Sequence, residues 1–233
     1  MGYLPIFIDL RGRTCVVIGG GPQAEAKIRV LLEAGACVTV IGPELADITK
    51  WPSTLGQIHY VGREYEYGDL RGSSLGYVVT ADTQVAATAA REARELGIPL
   101  NVIDNPELST FISPAVVTRG DLQIAISTSG SSPAVARMLR QQFEREIGAG
   151  YGHVLEIMRG ARHFLRSRVP DQLTRAGVLT ALGRALMDSV EALDYQVIDL
   201  TLRKYIGAGI ADLGLDIPGL TPSADTSAHK TGQ

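Results

Sequence analysis

Residues 14–41 read TCVVIGGGPQAEAKIRVLLEAGACVTVI, and the order of residue types in them decides the fold. Thr14–Ile18 is a short β-branched and apolar run. It ends in glycines, beyond which apolar residues recur at Ala26, Ile28, Leu31 and Leu32 until Gly35, the spacing of a helix with one buried face. Cys37–Ile41 is a second apolar run, stopped by Gly42-Pro43. Strand, glycine turn, helix and strand make a βαβ unit, and right-handed crossover makes its two strands parallel.

Working outward, residues 45–51 suit a short helix, while 57–61, 76–80 and 99–103 have the composition of further strands. Between the last two, Asp82 is placed to cap an alanine-rich helix that runs to Gly97. Strands alternating with helices of this length predict a Rossmann-type, doubly wound parallel sheet of the α/β class over residues 1–110. The pattern then changes. Residues 111–118 and 122–127 are strand-like runs joined by Arg119-Gly120-Asp121, which suits an antiparallel hairpin with Leu122, Ile124 and Ile126 on one face. A helix follows, with Ser132 as N-cap and Pro133 at its first position. After a glycine break at 148–152, the chain reads as helices to about Ile206. The expected organisation is a parallel-sheet domain at 1–110, a small hairpin and helix module at 111–148, an all-helical domain at 149–218, and a disordered tail at 219–233 with little to bury.

The 233 residues suffice for one large domain or a core domain with appendages, and 45% of them are hydrophobic. Lys and Arg number 22 against 25 Asp and Glu, a net charge of −3, so the surface as a whole has no pull on nucleic acid or an anionic membrane. No apolar run approaches a membrane span, and the start lacks a basic stretch before an apolar one, so neither anchoring nor export is expected. Cys15 and Cys37 cannot make a disulfide framework, which fits a reducing cytoplasm. The four histidines are scattered, and no zinc or haem spacing is present, so no structural metal is expected. There is no GxSxG elbow and no P-loop.

Gly19-Gly20-Gly21-Pro22-Gln23-Ala24 fits GxGxxA: Gly19 for the tight turn, Gly21 to leave room for a pyrophosphate, Ala24 for close packing of helix on strand. Its place after a strand and before a helix favours a dinucleotide over a purely structural turn. Pro43 and Glu44 follow the second strand, where Glu44 stands slightly late for the acid that grips the ribose hydroxyls. No Arg stands there for a 2′-phosphate, which favours NAD over NADP. Thr80, at the end of the fourth run, completes the expected cofactor set. Asp104 closes the last parallel strand at the edge of the crevice where open α/β sheets bind ligands, and is the best proton acceptor; its competing reading is a turn or cap residue before Asn105-Pro106. Ser127, Thr128 and Ser129 lie in a hydroxyl-rich loop entering a helix, which suits a carboxylate or phosphate as well as it suits a plain N-cap. Between residues 137 and 168 stand seven Arg and three Glu, a net of +4. These could dock a polyanion or simply form surface pairs such as Arg140 with Glu144.

Taken together, the opening LPIFIDLRGRTCVVIGGGPQAEAKIRVLLEAGA, the stretch NVIDNPELSTFISPAVVTRGDLQIAISTSGSSPAVAR and the helical remainder resemble the precorrin-2 dehydrogenase family, to which the amino-terminal half of bacterial sirohaem synthase belongs. The resemblance runs from Tyr3 to Arg168 and is weak beyond. It implies NAD-dependent oxidation of precorrin-2 to sirohydrochlorin, with insertion of ferrous iron in some members. It also implies a homodimer that exchanges its central hairpin module. By the same resemblance Asp104 matches the family's essential aspartate, and the carboxylate-rich substrate gives the 127–132 loop, Arg119, Arg137 and Arg140 a reason to face it. Thr128 stands where a relative carries a phosphorylated Ser. The rival function is an NAD-sensing regulatory module without turnover; the hydroxyl loop and the arginine-rich helices favour the enzyme, because a sensor needs no second polyanion site. A dehydrogenase for some other small acid would leave the helical domain unexplained.

Overall fold

The computed structural model describes residues 2–45, 56–190 and 194–217. The chain divides into two compact units, one made of the residues up to Ser113 with Ser129–Ser131, the other of Pro114–Thr128 with the residues from Ser132 onward. The expected helix at 45–51 lies, after Leu45, outside the described residues, as does the expected tail at 219–233.

In the first unit the order is β1 (Thr14–Ile18), α1 (Pro22–Glu33), β2 (Cys37–Ile41), β3 (Ile58–Val61), β4 (Leu75–Val78), α2 (Thr83–Leu96) and β5 (Leu100–Val102). All five strands are parallel, in the order β3-β2-β1-β4-β5, which is the expected doubly wound sheet with its switch point between β1 and β4. The runs are continuously apolar because both faces are covered. Cys15, Val17, Val38 and Val40 pack on one face with Ala24, Ile28 and Leu31 of α1. Val16, Ile18, Ile41 and Val78 pack on the other with Ala86, Ala89, Ala90 and Ala93 of α2, and those alanines let the helix lie close. Within α1 the buried stripe is Ala24, Ile28, Leu31 and Leu32, and Ala26 points outward. The i, i+4, i+7, i+8 series starts one step earlier than the sequence reading placed it, because Ala24 rather than Ala26 meets the sheet.

Asp82 caps α2 as expected, accepting from the N–H groups of Gln84 and Val85 at 2.8 and 3.1 Å, and Gly97 closes it in the left-handed conformation. The passage from β3 to β4 is made of turns between residues 66 and 72 instead of a helix. Glu92 of α2 holds it in place. Its carboxylate is fully buried and accepts from the Gly68 and Leu70 N–H groups at 2.8 and 3.1 Å and from the Tyr65 hydroxyl. Three donors satisfy this buried carboxylate.

The second unit opens with the antiparallel hairpin β6 (Ala115–Arg119) and β7 (Leu122–Ile126). Arg119 pairs with Leu122, so the turn is the two residues Gly120-Asp121 and Arg119 belongs to the strand, a correction that follows from Gly120 taking the positive φ of 56° that a tight turn requires. Leu122, Ile124 and Ile126 share the inner face. Helices α3 (Pro133–Glu146), α4 (Gly150–Arg168), α5 (Gln172–Met187) and α6 (Tyr195–Ile206) follow. Ser132 caps α3 through Val135 N–H at 3.3 Å. The glycine break is shorter than expected, because α4 begins within it. Gly152 lies against the Arg119 and Gly120 backbone, where a Cβ would come within 3.0 Å of the Arg119 carbonyl oxygen. The core of this unit joins Val154, Ile157, Ala161, Leu182, Leu186, Ile198 and Leu202.

Candidate functional site

The glycine turn follows β1 at the switch point. Gly19 has a φ of 105° and lies against the Val79 carbonyl, so a Cβ there would clash as well as be strained. Its N–H donates to the Ile41 carbonyl at 2.7 Å, and Val79 N–H donates to the Ile18 carbonyl at 2.7 Å. Gly20 lies equally close to the Glu44 carbonyl. Gly21 is different: nothing stands within 4 Å of where its Cβ would be. It is the N-cap of α1, without a side chain, and Pro22 opens the helix. Ala24 is fully buried beneath. Two glycines thus shape the turn and the third leaves space above a helix end, where unpaired N–H groups and the helix dipole favour an anion. The residues present fit a dinucleotide's pyrophosphate.

Around this turn, Pro43 and Glu44 are exposed, and the Tyr60 hydroxyl donates to the Gly42 carbonyl at 2.9 Å, fixing the end of β2. Thr80 is exposed and its hydroxyl accepts from Asp82 N–H at 3.1 Å, next to the start of α2. Gln23 is exposed on the first turn of α1. Cys15 is buried in β1, and burial with Cys37 nearby pushes its thiol up to about 11; Cys37 is exposed.

Asp104 follows β5, whose end is tied to β4 by Ile103 N–H on the Val78 carbonyl at 3.0 Å. It is exposed and has a φ of 58°, left-handed backbone that Asp tolerates better than most residues. The capping duty in this turn falls on its neighbours. Asn105 Oδ1 accepts from Leu108 N–H at 3.1 Å, and the Ser109 hydroxyl bridges the Asn105 carbonyl and the Val102 backbone. The Asp104 carboxylate has no hydrogen bond or ion pair among the described residues. The cap and turn contacts here are thus made without the Asp104 side chain, which is left available to a ligand.

The Thr128 hydroxyl donates to the Ser132 carbonyl at 3.1 Å and accepts from Ser132 N–H at 3.2 Å, closing the hydroxyl loop. Ser127 and Ser129 are exposed, and Ser129 has a φ of 52°. The three arginines differ. Arg119 donates to the carbonyls of Ile147, Glu144 and Thr118 at 2.8, 2.8 and 2.9 Å, so its guanidinium is engaged at the end of α3 and on its own strand. Arg140 pairs with Glu144 at 2.7 Å, the surface-pair alternative. Arg137 is exposed with no partner among the described residues.

Sequence reasoning missed a cluster that joins α1 to β4. Lys27 of α1 has its ammonium 5.1 Å from the centroid of the Tyr77 ring and 3.4 Å from the Ser113 hydroxyl, which lies 3.1 Å from the Tyr77 hydroxyl. Phe111 meets the Tyr77 ring edge-on, and Asn101 Nδ2 donates to its carbonyl at 2.9 Å. Burial lowers the Lys27 pKa and raises that of Tyr77. No motif ties positions 27, 77 and 113; only the fold brings them together.

Residues 6–115 match a family described as putative NAD(P)-binding, and residues 119–146 match the central segment of sirohaem biosynthesis proteins. The siroheme synthase of Methylobacillus flagellatus is 40% identical over 168 residues, 72% of this chain and 36% of that protein. That of Chromobacterium violaceum is 36% identical over 213 residues, 91% of this chain and 45% of that protein. Siroheme synthase 1 of Aeromonas salmonicida is 34% identical over 230 residues, 92% of this chain and 49% of that protein. The chain therefore spans less than half the length of these relatives. A solved structure described as SirC, precorrin-2 dehydrogenase, superposes with a TM-score of 0.64 at 22% identity, over 82% of this chain and all of that one, a likeness of fold.

Proposed function

We propose that this chain, a member of the family to which part of the siroheme synthases belongs, oxidises precorrin-2 to sirohydrochlorin with NAD as the hydride acceptor. The observation that carries this reading is the pairing, within the first unit, of an open anion cradle at Gly21 with the uncommitted carboxylate of Asp104. A cradle alone would suit a sensor. A free carboxylate two strands along, at the same end of the same sheet, adds a base.

When bound, the nicotinamide supplies a two-electron sink that takes a hydride from a reduced carbon of the macrocycle. The chain's own residues do the rest. Gly21, Pro22, Gln23 and the first turn of α1 hold the pyrophosphate, and Glu44 is placed to accept from the ribose hydroxyls. Residues 42–45 include no Arg or Lys for a 2′-phosphate, which supports NAD. Asp104 takes the ring N–H proton that leaves as the hydride departs, so one proton and one hydride account for the oxidation. Metal insertion also requires ring N–H protons to leave, so ferrous iron, as a second substrate, would draw on the same carboxylate.

We also read the working form as a homodimer in the cytoplasm. Val116 of the hairpin and Met138 of α3 are exposed apolar residues, which supports a partner copy over this module; sedimentation at micromolar concentration tests it. No helix among the described residues is long and apolar enough to cross a membrane.

Anaerobic incubation of the protein with precorrin-2 and NAD tests the main reading. The sirohydrochlorin spectrum should develop with NAD and much more slowly with NADP, and later addition of ferrous or cobaltous ion reports any chelation. NAD binding without a spectral change would replace the enzyme by the sensor.

A further inference from the structure

Among the arginines between residues 137 and 168, those with carboxylate partners are accounted for: Arg140 by Glu144, and Arg159 of α4 by Asp121 of the hairpin turn. Arg162 and Arg166, one helical turn apart on α4, are exposed and have no partner among the described residues. Like charges four apart on a helix repel, so neither is explained as a surface pair. Arg162 also borders a concavity of about 210 Å³ lined by Asp121, Leu155, Met158 and Arg159. Its lining includes the apolar side chains of Leu155, 37% exposed, and Met158, and its one carboxylate, Asp121, is already paired with Arg159.

An apolar lining beside an unpaired guanidinium recognises a carboxylate carried on a short hydrocarbon arm: the methylenes lie on Leu155 and Met158, and the planar fork takes the carboxylate through two parallel hydrogen bonds. The volume is below the roughly 300 Å³ at which sites for whole ligands begin. It suits one arm and not a macrocycle.

We propose that this concavity seats a carboxyalkyl arm of the polycarboxylate macrocycle, with Arg162 as its charge partner and Arg166 one turn further along the same stripe. The assignment rests on the substrate class proposed above, and it makes Arg162 a binding residue that sets affinity and takes no part in the chemistry.

Fluorescence titration of the full chain with uroporphyrin, an octacarboxylate porphyrin that is not turned over, tests the seat separately from the reaction. Wild type should bind it. Arg162→Ala and Arg162→Gln should weaken binding about tenfold or more, the scale of one charged hydrogen-bonded contact. Arg162→Lys should recover part of the loss, as a point charge without the fork, and Arg168→Ala, whose guanidinium stacks on Phe164, should leave binding unchanged. Absence of binding by wild type, or wild-type affinity in both Arg162 variants with circular dichroism intact, overturns the seat. If wild type binds uroporphyrin in an Arg162-dependent way yet does not oxidise precorrin-2, the seat stands and the proposed reaction falls.

Discussion

Gly19 and Val79 meet backbone to backbone where β1 and β4 part, and a Cβ on Gly19 would fall well inside contact distance of the Val79 carbonyl oxygen. Two residues on, Gly21 faces open space with an ordinary φ of −73°. The same motif thus contains glycines that the close-packed turn requires and one whose missing side chain the turn does not require.

The two kinds respond differently to alanine. Gly19→Ala should destabilise the protein by about 2 kcal/mol or more, through strain and clash together. Gly21→Ala should leave the melting temperature nearly unchanged and weaken NAD about tenfold or more, because its methyl fills the space the pyrophosphate needs. Thermal melts with calorimetric NAD titration check both. Equal loss of stability in the two variants would make the whole turn structural.

Asp104→Asn keeps a residue that tolerates left-handed backbone, so it should fold as wild type does and lose about 10²-fold or more in turnover, the range for a missing general base. Asp104→Ala should lose activity and also about 1 kcal/mol of stability from the strained φ. Single-turnover rates beside chemical melts separate the two effects. Wild-type turnover in Asp104→Asn would remove the carboxylate from the mechanism.

Much of this was legible in the sequence, because it depended on local patterns. The strand at Cys37–Ile41, the Asp82 cap, the Ser132-Pro133 helix start and the GxGxxA turn are each set by neighbours within a few residues. What was not legible depended on contacts between distant positions. Glu92 sits in an alanine-rich helix where nothing nearby in the chain marks it as buried, yet it is covered by the β3–β4 turns whose N–H groups it accepts from. Arg119 reads as an available cation in a hairpin turn, but the end of α3 lies close enough to take its donors. Lys27 and Ser113 are 86 positions apart, and no periodicity links them. Arg162 was one of seven similar arginines until the concavity it lines, and its lack of a carboxylate partner, set it apart.

Arg119→Ala should therefore act on stability. Removing a guanidinium that satisfies three carbonyls should cost about 1.5–3 kcal/mol, while KM for precorrin-2 stays near wild type. Urea unfolding with steady-state kinetics checks this. A raised KM at unchanged stability would return Arg119 to the substrate site.

Asp69 sets an acid limit. Its carboxylate takes both ends of the Arg63 guanidinium at 2.7 and 2.8 Å and the Glu66 N–H at 2.8 Å, and the Arg63 hydrogen bonds, opposed by burial, hold its pKa below the ordinary 3.8. A folded pKa below the unfolded one means that the stabilisation is complete above the unfolded value and disappears as pH falls through the folded value. Asp69→Asn should cost about 1–2 kcal/mol at pH 7, and the difference from wild type should shrink below about pH 4. Urea midpoints for both proteins across the acid range measure it.

The central claim is that Asp104 and the Gly21 cradle serve one two-electron oxidation. Rapid anaerobic mixing of enzyme, NAD and one equivalent of precorrin-2, followed at the NADH and macrocycle bands together, tests it most directly. The account predicts one NADH formed for each sirohydrochlorin, at a common rate that falls steeply in Asp104→Asn. Oxidation of the macrocycle without NADH, or a rate indifferent to Asp104, would contradict it.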